Sequence, residues 1–395
     1  MPDYLTPEQF LDLRQTGLPV LDARSPTEYA AGHIPGSLNT PVLMDDERVA
    51  VGKTYFSQGQ EAAVHLALEL VGPNLVGRHN IIQEQLELFR QNHSPTGKKI
   101  LIHCWRGGQR SLALAWLLES TGYHPLILDG GYKAYRVKVR SDLASPRKVL
   151  VLGGCTGSGK TSILHELSCL GHQAVDLEDL AGHRGSSFGG IGLPEQLCGE
   201  MMENKLRDLW TGLDPNRPVW VEDEDRRIGK INICPEFFRH IEDGCLIWLE
   251  VPRECRIRNL VALYAEKALD KSSQHEFCLA IDRVQSRLGT QKASLAKRAV
   301  VAGDMETAVS LVLEYYDKAY QKQSAKRIIA AKVNLTEVCS GFTGQKNNFV
   351  NMPENIDASG GISATDFMGR ASLGVDCLAK YAAQILAGLA DKMHA

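Results

Sequence analysis

The segment IHCWRGGQRS at residues 102–111 decides the fold of the first part of this chain. The apolar residues 99–102 predict a short buried strand that leads into it, and residues 111–118 predict a helix that leaves it. Cys104 then lies where backbone N–H groups and the positive end of a helix dipole converge, a setting that favours the reactive thiolate. Because Arg110 adds a fixed positive charge that can hold an oxyanion, we expect Cys104 and Arg110 to be catalytic.

Short strands are predicted around this loop at residues 19–22, 99–102 and 125–128, with helices between them. That alternation indicates a small α/β domain with a parallel sheet. A Ser-Pro pair at residues 145–146 is a break signal. We therefore expect a first domain at residues 1–145.

The overall composition is that of a globular protein. Of 395 residues, 44% are hydrophobic and 23% are charged, and the net charge of −3 provides no global positive field for nucleic acid. The first residues lack the pattern of a secretory signal, and no apolar run is long enough for a bilayer. Ten cysteines without a C-x-x-C pair argue against a zinc site and a disulfide framework. We expect a cytoplasmic protein that binds no membrane.

The segment GCTGSGKT at residues 154–161 is a phosphate loop of the G-x4-G-K-T type. A predicted strand at 149–152 precedes it and helical residues 162–167 follow it, which is the context that this motif requires. The motif predicts a second α/β domain, of the P-loop NTPase type, at residues 146–335. It indicates a ligand held by its di- or triphosphate, while hydrolysis does not follow from it. The predicted binding residues are Gly154, Gly157, Ser158, Gly159, Lys160 and Thr161.

Three other features could complete this phosphate site. A predicted strand at 218–221 runs into Glu222 and Asp223, which could hold Mg²⁺ or orient water or a thiol. Arg226 follows and could reach a phosphate. The glycine-rich residues 183–192 predict a mobile loop that could bring Arg184 to the ligand. No resident metal is predicted, and Mg²⁺ remains an optional ligand of Thr161 and the carboxylates.

Two basic stretches could contact the backbone of a nucleic acid, or could simply be solvated surface. Residues 133–148 carry six Lys or Arg against one Asp, and residues 318–332 carry five at helical spacing. Residues 336–395 are an unassigned tail. It contains linker signals between residues 347 and 361 and an amphipathic pattern at 378–389, which predicts a helix that could dock on the body or mediate self-association.

Three motifs of the first domain resemble the rhodanese family: DAR at residues 22–24, GHIPG at 32–36 and the Cys104 loop. The resemblance implies a rhodanese-like domain whose cysteine carries sulfur or a related chalcogen. From Cys104 to Arg110 the loop has the form C-x5-R, whereas simple sulfurtransferases of this fold tend to have a loop one residue shorter. The longer loop resembles protein-tyrosine and dual-specificity phosphatases, so the loop alone leaves phosphatase chemistry open.

Four more motifs occur with the phosphate loop: CWRGG at 104–108, GGYKAYR at 130–136, HRGSSFGG at 183–190 and VWVEDE at 219–224. Together they resemble the bacterial tRNA 2-selenouridine synthases over about residues 4–332. The resemblance implies a selenotransferase and geranyltransferase acting on wobble 2-thiouridine of the 5-methylaminomethyl type in tRNA. The 2-thio group would first be geranylated by geranyl diphosphate, and selenium from selenophosphate would then replace the geranylthio group.

The same resemblance implies co-substrates and no tightly bound cofactor, with a selenophosphate-supplying enzyme as a partner. The phosphate loop would hold the leaving diphosphate, and Cys104 would carry selenium as a seleno-sulfide. Two alternatives stay open. One is a rhodanese-fold phosphatase fused to a nucleotide-dependent kinase-like domain, favoured by the C-x5-R count. The other is a non-catalytic tRNA- or nucleotide-binding regulator, in which Cys104 would be dispensable.

Overall fold

The computed structural model describes residues 2–93, 97–264, 271–324, 327–336 and 375–394. The chain forms two compact units. The first comprises Met1–Ser145 and Leu197–Thr211, and the second comprises Pro146–Gln196 and Gly212–Ala395. The segment Leu197–Thr211 falls inside the second predicted domain, yet it belongs to the first unit.

The first unit is built on a parallel sheet of five strands in the order β1-β5-β4-β2-β3. Its central strands are apolar and buried after their first residue, as expected where helices cover both faces. Strands β1 and β3 are too short to show a pattern in the sequence. The elements are, in chain order, β1 (Asp3–Leu5), α1 (Pro7–Gln15), β2 (Val20–Asp22), α2 (Pro26–Ala30), β3 (Leu38–Asn39), α3 (Asp45–Gln58), α4 (Gln60–Val71), a 3-10 turn (Gly72–Asn74), α5 (Leu75–His93), β4 (Lys99–His103), α6 (Gln109–Ser120), β5 (His124–Leu128) and α7 (Gly131–Leu143).

The second unit is built on another five-stranded parallel sheet, in the order β12-β11-β6-β8-β7. Leu152 of β6 lies opposite Glu222 of β8, so the phosphate loop and the acidic segment leave the same edge of the sheet. From Val149 onward the elements are β6 (Val149–Gly154), α8 (Lys160–Cys169), β7 (Gln173–Val175), α9 (Leu177–Ala181), α10 (Gly199–Gly212), β8 (Val219–Glu222), β9 (Arg227–Ile228), β10 (Ile231–Asn232), α11 (Pro235–Asp243), β11 (Cys245–Glu250), α12 (Arg253–Tyr264), α13 (Lys271–Leu288), α14 (Thr290–Val301), α15 (Met305–Ser324), β12 (Ile329–Asn334) and α16 (Val375–His394).

Helix α10 is held in the first unit by buried polar contacts. Asn204 is 0% exposed, and its amide donates to the His33 carbonyl at 2.7 Å and to the Tyr132 hydroxyl at 3.0 Å. Its carbonyl oxygen accepts a hydrogen bond from Arg136. Arg207 pairs with Asp142 at 2.8 Å. A polar residue at such a position is stable only because each of its groups has a partner.

These contacts change the interpretation of the first basic stretch. Arg136 is paired with Glu203, and Lys138 lies 2.8 Å from Asp142. Their charges therefore stabilise the first unit, and a nucleic-acid contact from this stretch would rest on its exposed members, Lys133 and Arg140 among them.

The second basic stretch is not one helical stripe, so that prediction is wrong. Lys318 and Lys322 lie on α15, whereas Lys332 lies on strand β12. The strand Ile329–Asn334, four of whose six residues are apolar, pairs with β11, and this sheet pairing outweighs the helical spacing of the lysines. Lys326 lies outside the described residues.

The tail contributes α16 to the second unit. Its buried alanines and Leu386 pack into one core with Leu164 and Leu167 of α8. Alanine is small enough for two helices to approach closely, which explains why this face of α16 is rich in it. The tail helix thus docks on the body, one of the two predicted roles. The predicted linker at 347–361 lies outside the described residues. Among the described helices, none combines the length and the hydropathy needed to span a membrane.

Candidate functional site

The Cys104 loop follows strand β4 directly and is tied to the start of α7. The carbonyl of Cys104 accepts from the Tyr132 amide at 2.8 Å, and that of Trp105 accepts from the Lys133 amide at 3.1 Å. Gly131 has φ +59°, and a Cβ there would lie 2.4 Å from the Cys104 oxygen. Only glycine fits at that contact, so the GGYKAYR motif positions the cysteine loop. The Cys104 side chain itself is only 3% exposed.

Arg110 lies in the first turn of α6, but its guanidinium is bound by a carboxylate. It lies 2.5 Å from Glu28 Oε2, which also accepts from the Ser25 amide at 3.1 Å. Burial opposes ionisation of Glu28, yet the hydrogen bond and charge of Arg110 outweigh it and keep the pKa of Glu28 below its ordinary value. Arg110 is therefore ion-paired with Glu28, and its catalytic role stays a prediction.

The residues of the DAR motif form a buried ion pair next to this loop. Arg24 binds both oxygens of Asp22, the shortest contact being 2.6 Å, and donates to the Gly32 carbonyl at 2.7 Å. His103 lies 3.6 Å from Asp22. Its complete burial outweighs the attraction of Asp22 and lowers the pKa of His103 to about 4, so the imidazole next to Cys104 is neutral at pH 7. These motif residues thus hold the sheet edge that carries the loop.

The phosphate loop of the second unit wraps from β6 to the start of α8. Gly157 has φ +81°, and a Cβ there would lie 2.8 Å from the Arg256 carbonyl. Lys160 Nζ donates to the Gly154 carbonyl at 3.0 Å. Burial opposes the charge of Lys160, but Tyr320 and the nearby glutamates outweigh it and raise its pKa. The ammonium is therefore present at pH 7, with backbone amides of the loop around a site for an anion.

Three glutamates meet beside this loop. One oxygen each from Glu178, Glu222 and Glu224 lies within 4.8 Å of the others, and Thr161 Oγ1 lies 2.8 Å from Glu222. Burial, and then mutual repulsion, raises the pKa of Glu222 well above its ordinary value. Burial and the charge of Glu178 raise the pKa of Glu224 to about 8. The second oxygen of Glu222 is buried with no hydrogen-bond partner among the described residues. This set of hard oxygen donors with excess negative charge fits Mg²⁺.

Comparison with known proteins identifies the family. The model of the rhodanese-like domain matches residues 6–138, and the model of the tRNA 2-selenouridine synthase AAA domain matches residues 147–340. A tRNA 2-selenouridine synthase of Salmonella heidelberg is 33% identical over 360 residues, which cover 83% of this chain and 94% of the relative. The chain belongs to the tRNA 2-selenouridine synthase family.

Two other synthases of this family are similar over shorter alignments. The one from Nitrosomonas eutropha is 32% identical over 85% of this chain and 82% of the relative. The one from Nitrosomonas europaea is 37% identical over 62% of this chain, which there spans 63% of the relative's length. The predicted order of a rhodanese domain followed by a P-loop domain, and the predicted family, are confirmed.

The family does not by itself decide the role of each residue. The structure shows which of the predicted phosphate-site residues lie together. Glu222 joins the carboxylate cluster, whereas Asp223 lines the phosphate-loop pocket and pairs with Arg327. Glu224 was not among the predicted binding residues, although it belongs to the acidic run that follows strand β8. Glu178, in the first turn of α9, was missed because only the fold brings it to Thr161.

Of the two predicted arginines, Arg184 lines the pocket around the phosphate loop, as do Gly157, Ser158 and Gly159. Arg226 and Arg227 are both exposed, and Arg227 lines that pocket, so a phosphate contact by Arg226 stays a prediction. Gly154 ends β6 and accepts from Lys160, so it shapes the loop.

Proposed function

We propose that this chain replaces the sulfur of wobble 2-thiouridine in tRNA, of the 5-methylaminomethyl type, by selenium in two steps. The observation that carries the proposal is the family match, which extends over a thiol loop and a phosphate loop in one chain. A sulfurtransferase needs only the first of these sites. The phosphate loop would bind the diphosphate of a second substrate, which sulfur transfer alone does not require.

In the first step, the sulfur of 2-thiouridine attacks C1 of geranyl diphosphate. The C–O bond breaks, diphosphate leaves with the bonding electrons, and N3 of the base loses its proton to solvent. Lys160 and the amides of residues 157–161 stabilise the charge on that leaving group. Thr161, Glu178, Glu222 and Glu224 would hold Mg²⁺, which supplies further neutralisation of the diphosphate when bound.

In the second step, selenophosphate and water convert the geranylthio-uridine into 2-selenouridine, geranylthiol and phosphate. A seleno-sulfide on Cys104 would need an outside reductant to release selenide. A balanced route has the Cys104 thiolate attack C2 of the base and expel geranylthiolate, which takes a proton from solvent. Selenium of selenophosphate then displaces Cys104, and water cleaves the Se–P bond. An enzyme that makes selenophosphate is therefore a proposed partner, and the cytoplasm, where tRNA acts, is the proposed location.

The base must leave the anticodon stack to reach Cys104, because that residue is 3% exposed. Trp105 beside it is 38% exposed and offers an aromatic face on which an extruded base can stack. The phosphatase alternative gains no support from the relatives, which are named tRNA 2-selenouridine synthases.

Mass spectrometry of tRNA nucleosides from cells with and without the gene tests this function. We expect 2-selenouridine to disappear without the gene and to return when the wild-type chain is supplied. Unchanged 2-selenouridine in the deletion strain would refute the proposal.

A further inference from the structure

An apolar chamber lies among helices α12 to α15 of the second unit. Its walls include Phe277 and Ile281 of α13, together with Met305 and Ala308 of α15. Phe188, from the glycine-rich loop, closes one side, and its ring lies 6.2 Å from that of Phe277. None of the described lining residues is charged. The chamber can therefore solvate a hydrocarbon and offers few partners to a nucleobase.

This chamber opens toward the phosphate loop. The residues that line both the chamber and the phosphate-loop pocket are Thr156, Ser186, Leu260, Tyr264 and Tyr316. Thr156 belongs to the phosphate loop itself. A ligand bound there by its phosphates therefore has an apolar compartment directly beside it, and no charged residue lies among the described residues that the two share.

We propose that the chamber binds the ten-carbon geranyl chain while the phosphate loop binds the diphosphate, an assignment that rests on the proposed geranylation. The combination of an anionic subsite and an uncharged apolar subsite matches an isoprenoid diphosphate. A nucleoside triphosphate would instead place a polar base and ribose against these walls, where most of their hydrogen-bonding groups would lose water without replacement.

The chamber is nearly closed in this structure, and the glycine-rich loop is the element that would open it. The cavity has a volume of about 40 Å³, room for roughly three water molecules. Phe188 is 9% exposed, and the Ser187 amide donates to the Tyr316 hydroxyl at 2.9 Å. An entering geranyl chain would take the place of the Phe188 ring, so the loop acts as a lid whose apolar residue yields to the ligand.

The first test fills the chamber and measures ligand binding calorimetrically with the full chain. Wild type should bind geranyl diphosphate about 100-fold or more tighter than inorganic diphosphate, because only the former buries a hydrocarbon. Ala308→Leu should weaken the binding of geranyl diphosphate by about tenfold or more, because the added carbons occupy the chamber. It should change the affinity for inorganic diphosphate by less than about twofold. Glu306→Leu is the matched control, since it makes the same residue at an exposed site on α15; it should bind both ligands like wild type.

The second test enlarges the chamber, so that the inference does not depend on how Ala308→Leu folds. Phe277→Ala should raise the use of farnesyl diphosphate relative to geranyl diphosphate by about tenfold, read as the mass of the prenyl group on tRNA. If both variants keep wild-type binding and chain-length preference while wild type geranylates tRNA, the chamber assignment is wrong and the proposed function stands. If wild type binds ATP in competition with geranyl diphosphate and prenylates no tRNA, both are wrong.

Discussion

The carboxylate cluster makes the second unit sensitive to pH in a direction that can be measured. The pKa of Glu224 is raised from 4.5 to about 8, first by burial and then by the charge of Glu178. The native state therefore holds a proton between these two pH values that the unfolded chain has lost. Stability from this group is complete below about pH 4.5 and is lost as the pH rises toward 8. Without a divalent cation, the second unit should lose stability from pH 5 to pH 9.

The size of this effect follows from the pKa shift. Each pK unit corresponds to about 1.4 kcal/mol, so the shift of Glu224 gives an upper limit of roughly 5 kcal/mol above pH 8. For a unit of this size, that corresponds to roughly 10 to 20 °C in melting temperature. Glu224→Gln removes the ionisable group and should flatten this slope. It should also weaken stabilisation by Mg²⁺, because one of three carboxylate ligands is lost.

Scanning calorimetry of the full chain in EDTA at pH 5, 7 and 9 measures the slope. The transition of the second unit is the one that inorganic diphosphate shifts upward. Glu306→Gln is the control, because Glu306 is an exposed carboxylate of the second unit and is not among the groups that raise the pKa of Glu224; it should keep the wild-type slope. The reasoning is refuted if Glu224→Gln keeps that slope too, or if wild-type stability rises from pH 5 to pH 9 in EDTA.

Three further substitutions test the packing around the two sites. Arg24→Met should lower the free energy of unfolding of the first unit by about 3–5 kcal/mol in urea, because Asp22 would stay buried without its partner; a loss below about 1 kcal/mol would contradict this. Leu386→Ala should cost the second unit about 2–5 kcal/mol, since Leu386 is fully buried against α8, and an unchanged unfolding midpoint would mean that α16 does not dock. Gly131→Ala should displace the Cys104 loop, because its Cβ would lie 2.4 Å from the Cys104 oxygen; wild-type selenium incorporation by this variant would show that the contact is unimportant.

The parts of the fold that could be predicted are those encoded by local pattern. Apolar runs at residues 99–102 and 149–152 predict buried strands, and each lies within a strand of the structure. The phosphate loop was recognisable because its glycines, Lys160 and Thr161 are adjacent in sequence. Such features depend on contacts between near neighbours, and a single sequence contains them in full.

The parts that could not be predicted depend on long-range contacts. Nothing in the sequence of α10 shows that the Asn204 amide would donate hydrogen bonds to His33 and Tyr132, which lie more than seventy residues earlier. The pairing of Arg110 with Glu28 also joins residues that are distant in sequence. Helix amphipathicity shows that a face is buried, but it does not name the surface that covers that face.

The central claim is that the thiol loop and the phosphate loop carry out two separable steps on one tRNA base. The most direct measurement is nucleoside mass spectrometry after incubating purified Cys104→Ser and Lys160→Ala chains with 2-thiouridine tRNA, geranyl diphosphate and selenophosphate. We predict that Cys104→Ser accumulates the geranylthio nucleoside without selenium. Lys160→Ala should leave 2-thiouridine unchanged, yet insert selenium into tRNA that is already geranylated. Loss of both steps in Cys104→Ser, with wild-type thermal unfolding, would contradict the account.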